Sequence, residues 1–321
     1  MINRDLNLRI VCAGLSFAFA NSAWCQSYPV KPIRIITASV GGGADELART
    51  VGRGISGPLG QQVFVDNRGG GLVPGATIAK SPGDGYNLLM NGGTLWFVPL
   101  IRDNVPYNVQ RDFAPIAWVS TSPVILFVHP SLPVKSVREL VALAKARPGE
   151  LNYASSATGS INHLSAELFK ALARVNVVRI SYKGTGAALN DLIGGQVQLS
   201  FSAGAAMASH VKSGRLRALA VTSAQPSAAY PGLPTIAASG VPDYESVSVV
   251  GMFAPAKTPP AIVNRLHEET ARVLKETETR ERFLAAGVEL VGGTPEQLAT
   301  LIRNDVARWG KVIKDAGIRE E

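Results

Sequence analysis

Three glycines in a row, Gly41, Gly42 and Gly43, sit between a β-branched run, Ile33 to Ala38, and a stretch that reads as a helix from Asp45. Strand, glycine turn and helix start together make an anion site. The first N–H groups of a helix have no internal partner, and the helix dipole adds positive potential there. Glycine lets a ligand approach the backbone and permits positive φ. A second stretch has the same form. A short strand ends at Ala154, and Ser155, Ser156, Thr158 and Ser160 crowd around Gly159 before a helix with Ile161, Leu164, Leu168 and Leu172 on one face. Here hydroxyls join the helix-end amides, and both donate to a carboxylate. Tight turns that bind nothing, with Ser160 as a plain helix cap, fit the same residues.

Other chemistry finds little support. The spacing G-x-G-x-x-G is absent because Glu46 stands at the last position, and no G-x-x-x-x-G-K-[ST] occurs. His129, His163, His210 and His267 have no His or Cys three or four residues away, so no zinc motif exists, and there is no G-x-S-x-G elbow. Ser155 or Ser160 with His163 is the one conceivable nucleophile and base, although His163 in the first helical turn equally packs or supports that turn. Asp45 and Glu46 open a helix, where carboxylates are favourable anyway. The reading is a binding protein without cofactor or metal, not an enzyme.

The elements that position these turns alternate. Strands read at Ile33–Ala38, Gln62–Asp66 and Asn87–Asn91, with a short helix Gly75–Lys80 between the last two. The first helix carries Leu47, Ala48, Val51 and Ile55 on one face and should end at Gly57-Pro58. Val124–His129, Val177–Ser181, Val197–Phe201, Leu216–Thr222 and Val247–Phe253 read as further extended runs. Helices start at Ser136 with Glu139 three on, at Thr258 with Pro259 as its first residue, and at Thr294-Pro295-Glu296-Gln297. Residues 223–245 read as irregular, with Pro226, Pro231, Pro234, Gly240 and Pro242, as a crossing segment would. The alternation implies parallel, doubly wound sheets, whose ligands sit at the carboxyl ends of the strands. Gly41–Gly43 and Gly92–Thr94 both follow strands.

The first 25 residues stand apart: Arg4 and Arg9, an apolar core Ile10–Ala20, then small residues. They read as a signal peptide with a periplasmic destination, cleaved after Ala20, Ala23 or Cys25, of which Cys25 is favoured because Ala23 then stands at −3. Both cysteines, Cys12 and Cys25, fall inside it, so the exported chain needs no disulfide. Losing Arg4, Arg9 and Asp5 takes the formal charge from +8 to +7. That charge is scattered, which disfavours nucleic acid and suits recruitment of small anions.

An ordered series of motifs resembles the Bug family of periplasmic solute-binding proteins, the receptors of tripartite tricarboxylate transporters. It runs through Tyr28-Pro29-x-Lys31-Pro32-Ile33-Arg34, Gly41 to Arg49, Val65-Asp66-Asn67-Arg68, Asp84-Gly85-Tyr86 and Pro148-Gly149-x-Leu151-Asn152-Tyr153. It continues with Gly159-Ser160-x-x-His163-Leu164, Tyr182-Lys183-Gly184 and Asp191-Leu192-x-x-Gly195-Gln196-Val197, then Leu219 to Thr222, Phe253-Ala254-Pro255 and Arg308-Trp309. The resemblance implies a periplasmic binding protein fold: two doubly wound α/β domains around a ligand cleft. Domain 1 would comprise residues 26–125 and 248–321, and domain 2 residues 126–247. It also implies a small carboxylate held by Gly42, Gly43 and Ala44 facing Ser155, Thr158, Gly159 and Ser160, with Thr94 and Ser202 shaping the cleft. The implied protein is a monomer that delivers its ligand to the membrane permease subunits of a tripartite tricarboxylate transporter. Alternatives are a ligand sensor acting on a membrane kinase and an exported enzyme. The chain departs from the family pattern at Thr37-Ala38 in place of Pro-Phe, at Val40 in place of Pro, at Ala157 in place of Gly, and at Ser202 in place of Asp. Without that acid the cleft loses a partner for an ammonium group, so a simple carboxylate is expected over an amino acid.

Overall fold

The computed structural model describes residues 28–38, 40–69, 71–156, 158–182 and 185–319. The expected signal peptide, with Cys12 and Cys25, lies outside the described residues. In chain order the first elements are β1 (Ile33–Thr37), α1 (Gly43–Leu59), β2 (Val63–Asn67), α2 (Val73–Ala79), β3 (Asn87–Gly92), α3 (Thr94–Ile101), α4 (Val109–Asp112) and β4 (Phe113–Val128). Then follow α5 (Val137–Ala146), β5 (Asn152–Ser155), α6 (Ile161–Ala173), β6 (Val178–Ser181), α7 (Thr185–Ile193), β7 (Leu199–Ala203), α8 (Gly204–Lys212) and β8 (Arg217–Val221). The chain ends with β9 (Val247–Pro255), α9 (Pro260–Leu274), α10 (Thr277–Ala285), β10 (Glu289–Gly293) and α11 (Pro295–Asp315).

The strands form two half-sheets that share β4. In the first, β2, β1 and β3 are parallel, and β9, β4 and β10 follow in turn, each antiparallel to the strand before it. In the second, β6, β5 and β7 are parallel, and β4 and β8 complete it antiparallel. Each half-sheet is therefore mixed, where the alternating pattern implied parallel strands throughout. The parallel trios come from strand–helix–strand repeats, and the antiparallel strands from the chain crossing between halves in both directions. Along β4, Phe113–Pro123 pairs with β9, and Val124–Val128 pairs with β7 and β8. Pro123 has no N–H for the ladder. Immediately after it, the buried Thr222 hydroxyl bridges Val124, accepting from its N–H at 2.9 Å and donating to its C=O at 2.9 Å.

Two boundaries differ from the sequence reading for local reasons. The first helix continues through Gly57-Pro58 to Leu59, and Gly60 ends it with φ 64°. Pro58 cannot bond the carbonyl four residues back, but Arg272 Nη2 takes that carbonyl, Gly54 O, at 2.7 Å. Thr258 does not cap α9: Pro259 is the residue before the helix, and the buried Thr258 hydroxyl has no hydrogen-bond partner among the described residues. The capping box at Thr294 and Gln297 is present, and Ser136 accepts from the Glu139 amide.

The core follows the sheet. On one face of the first half-sheet, Leu47, Val51 and Ile55 of α1 meet Ile33, Ile35, Val273 and Leu274. Gly54 packs so tightly on Val273 that a Cβ there would collide with it. On the other face Trp96, Phe97 and Trp309 pack edge to face, with 5.6 and 5.7 Å between ring centroids. That cluster continues without a break into the second half through Leu126, Leu164, Phe169 and Phe201.

Candidate functional site

The glycine loop is built around Asp45. Its carboxylate is 3% exposed and accepts from Gly41 N at 2.9 Å and Asn67 Nδ2 at 2.9 Å, with Arg49 at 3.0 Å. Burial pushes its pKa up, but the Gly41 amide, Asn67 and Arg49 outweigh burial and hold it below the usual carboxylate range. Gly41 has φ 76°, which glycine adopts without strain. Among the described residues no side chain caps α1 at Gly42, so its first amides, those of Gly43 and Ala44, stand ahead of the first intrahelical acceptor, Gly42 O. Thus Asp45 fixes the loop while the helix end stays uncapped.

The serine turn is organised by a residue with no local sequence signal, Arg179 of β6. Its guanidinium donates to Ser155 Oγ at 2.7 Å, Thr158 Oγ1 at 3.2 Å and Ser156 O at 2.9 Å. Ser160 is the N-cap of α6, accepting from the His163 amide at 3.4 Å and from Ser156 Oγ at 3.1 Å. The His163 ring is buried, and its Nδ1 accepts from Gly159 N at 3.2 Å. Burial first, then the Arg179 charge, lowers the His163 pKa to about 4, so the ring is neutral at pH 7. Neither serine pairs with the His163 ring: Ser160 bonds its amide, and Ser155 is held by Arg179. The nucleophile-and-base arrangement is not formed. Among the described residues no group of three His, Cys, Asp or Glu side chains could hold a metal.

A cavity of about 670 Å³ lies between the two turns. Gly41 and Gly43 line one side, and Ile161 and Asn162 of the first turn of α6 line another. Of the residues expected at the site, Gly43 and Ser202 line this cavity, and Gly42, Ala44 and Ser160 adjoin residues that do. Ser155, Thr158, Gly159 and Thr94 are not in the lining. Gly159 packs against Ile101 of α3, and the Thr94 hydroxyl turns to Asn91 Oδ1 at 3.1 Å. Sequence reasoning missed Ser122 and Ser248 on the crossing strands, Gly186 and Leu189 of α7, and Tyr230 with Val288. Gly186 could have been found, because it opens a helix after β6 as Gly43 does after β1. The others reach the cavity only through tertiary folding.

The crossing strands have a second face, with a larger cavity of about 830 Å³. Strand alternation separates the two: Val247 and Val249 line the larger one, and Ser248 lines the smaller. The larger cavity gathers Glu245, Glu289, Glu296 and Asp305 against Arg308. Its helix start, that of α11, is already closed by a capping box. An acidic wall and a closed helix end suit an anion poorly, so the smaller cavity is the candidate site.

Comparison with known proteins agrees with this architecture. Residues 47–318 match the tripartite tricarboxylate transporter family receptor. Protein BugT of Bordetella pertussis is 35% identical over 302 residues, covering 92% of each chain. Among solved structures, R. palustris Rpa4515 with adipate is 35% identical, with a TM-score of 0.76 over 91% of this chain and 99% of that one. A TctC solute-binding protein from Polaromonas, without ligand, is 26% identical, with a TM-score of 0.80 over 90% of this chain and 100% of that one. The uncapped helix start, the serine turn opposite it and the cavity between them thus lie in a chain that belongs to the tripartite tricarboxylate transporter receptor family of periplasmic solute-binding proteins.

Proposed function

We propose that this chain captures a small carboxylate in the 670 Å³ cavity and hands it to the membrane permease of a tripartite tricarboxylate transporter. One observation carries the reading: the uncapped start of α1 and the first turn of α6 face the same cavity from different half-sheets. Amides at two helix ends satisfy carboxylate oxygens, and charge-assisted hydrogen bonds of this type are about twice as strong as neutral ones. Gly42, Gly43, Ala44 and Ser160 would contact the carboxylate. Ser155, Thr158 and Gly159 would act by holding the turn, and Thr94 and Ser202 by shaping its surroundings. A ligand bridging residues 26–125 and 248–321 on one side and 126–247 on the other binds the closed arrangement better than the open one. Its differential affinity then drives closure, the signal a permease reads. The relative with adipate supports the carboxylate class. Export would follow from a signal peptide at residues 1–25, and the formal charge of the remainder favours arrival of anions.

The test is a thermal-shift panel of carboxylates on residues 26–321, refolded from denaturant to strip any retained ligand. A carboxylate at 100 times its dissociation constant adds about 2.7 kcal/mol of stability, and Gly43→Val abolishes the shift by filling the helix start. A flat panel on the refolded protein rules out carboxylate capture.

A further inference from the structure

The wall of the cavity formed by α7, α8 and the segment after α10 is apolar. Leu189 and Met207 reach it from the outer core of the second half-sheet, and Val288 from that of the first. At this wall lies another helix end, the start of α8. It has no side-chain cap of its own. Tyr230 stands there instead. Its ring and hydroxyl lie so close over Gly204 that a Cβ on that glycine would collide with them, and a Cβ on Gly287 would meet the same hydroxyl. The hydroxyl thus sits against the backbone at the start of α8. Among the described residues the glycine loop has no such plug: none of them lies within 4 Å of a Cβ built on Gly41 or Gly43. One end of the cavity thus offers backbone amides, and the other offers methyl and thioether groups beside a helix start that a phenol already occupies.

We propose that the ligand is a monocarboxylate with an apolar body, its carboxylate at the starts of α1 and α6 and its body against Leu189, Met207 and Val288, with Tyr230 denying the start of α8 to a second carboxylate. This inference rests on the carboxylate reading of the cavity. A charge placed against the apolar wall is stripped of water without a partner among the described lining residues, whereas a methyl group there gains by burial. Tyr230 is a specificity residue in this account.

Two matched pairs test it: hexanoate with adipate and butyrate with succinate, titrated calorimetrically into refolded residues 26–321. Within each pair only a terminal methyl and a carboxylate differ. The monocarboxylate is expected to bind at least tenfold tighter, which is about 1.4 kcal/mol. In Tyr230→Phe the hydroxyl that crowds the start of α8 is gone, so adipate gains at least threefold while hexanoate changes less than twofold, and the retained hexanoate affinity shows that the variant is folded. Leu189→Lys, which places a cation on the apolar wall, should narrow or invert the preference. Dicarboxylates binding as tightly as their partners, or tighter, overturn the inference and leave carboxylate capture standing. If none of the four binds, carboxylate capture itself fails.

Discussion

At the scale of single residues, two ionisable groups hold the turns without entering the cavity. Asp45 ties Gly41, Asn67 and Arg49 together from a buried position. Asp45→Ala leaves those donors unmatched, and urea denaturation should show a loss of about 1–3 kcal/mol. Asp45→Asn should recover part of it, because one oxygen can still accept from Gly41. The Asp45 carboxyl is more acidic folded than unfolded, so its contribution is present above the unfolded carboxyl range and lost as pH falls through the folded value. His163 acts at higher pH. Its folded pKa of about 4 lies below the ordinary 6.5, so the unfolded chain binds the extra proton between these values. Stability from this group is fully present above pH 6.5 and is lost as pH falls toward 4. The full shift corresponds to about 3 kcal/mol, and screening in a partly hydrated turn reduces this to about 1–2 kcal/mol. The groups facing the ring are Arg179 and Lys170, which oppose its charging, and Glu167, which favours it. His163→Gln should flatten the pH dependence of the urea midpoint between pH 4 and 6.5, and an unchanged slope would refute the assignment.

At the scale of elements, helix starts decide both stability and site. The capping box of α11 satisfies two amides, Thr294 N by Gln297 Oε1 at 2.8 Å and Gln297 N by Thr294 Oγ1 at 3.3 Å. Thr294→Ala should cost about 1 kcal/mol of unfolding free energy with no effect on ligand affinity, since α11 does not line the smaller cavity. Gly159→Ala combines the two effects. Its φ of 74° strains any Cβ, and that Cβ would collide with Ile101. A stability loss of about 1–3 kcal/mol should come with weaker ligand binding, because the displaced turn carries Ser160 and the start of α6. Such local features were legible in the sequence: Gly41–Gly43 break a strand from a helix, Thr294 and Gln297 stand at capping-box spacing, and Ser160 precedes an apolar stripe. Features made by distant pairing were not. Nothing near Arg179 announces that it will bind Ser155 and Thr158, because the link exists only once β6 lies beside β5. The first part of β4 was hidden by Pro115, Pro123 and the polar run Ser120-Thr121-Ser122, which break the strand pattern locally although the strand is continuous. Tyr230 lies in a stretch that reads only as a crossing segment, yet it ends over the start of α8.

At the scale of the whole molecule, the two half-sheets are physically one structure even though the proposed ligand site lies between them. β4 runs through both, and a single apolar cluster joins Trp96, Phe97 and Trp309 in the first to Leu126, Phe169 and Phe201 in the second. On the face away from the candidate site, Arg308 of α11 pairs with Glu245 at 3.0 Å and Ser227 donates to Glu289 at 2.5 Å. Glu245 is set between Tyr244, which donates to Ser165 O, and Ser246, which bonds Ser165 Oγ and Thr222 O. The Arg308–Glu245 pair is partly exposed and contributes at most about 1 kcal/mol. The shared strand and core therefore dominate the coupling, and damage to one half must be felt in the other. Leu126→Ala removes a fully buried side chain on the second part of β4, at a cost of about 2–5 kcal/mol. Trp96 and Trp309 lie in the first half, so their fluorescence reports unfolding there. In a cooperative molecule the fluorescence transition and the far-UV circular dichroism transition coincide and move together to lower urea in Leu126→Ala. If the halves were independent, circular dichroism would split into two transitions and the tryptophan midpoint would stay where it was. Coincidence means that a ligand closing the cavity stabilises the entire chain, so that its binding energy is read in full as a single thermal shift.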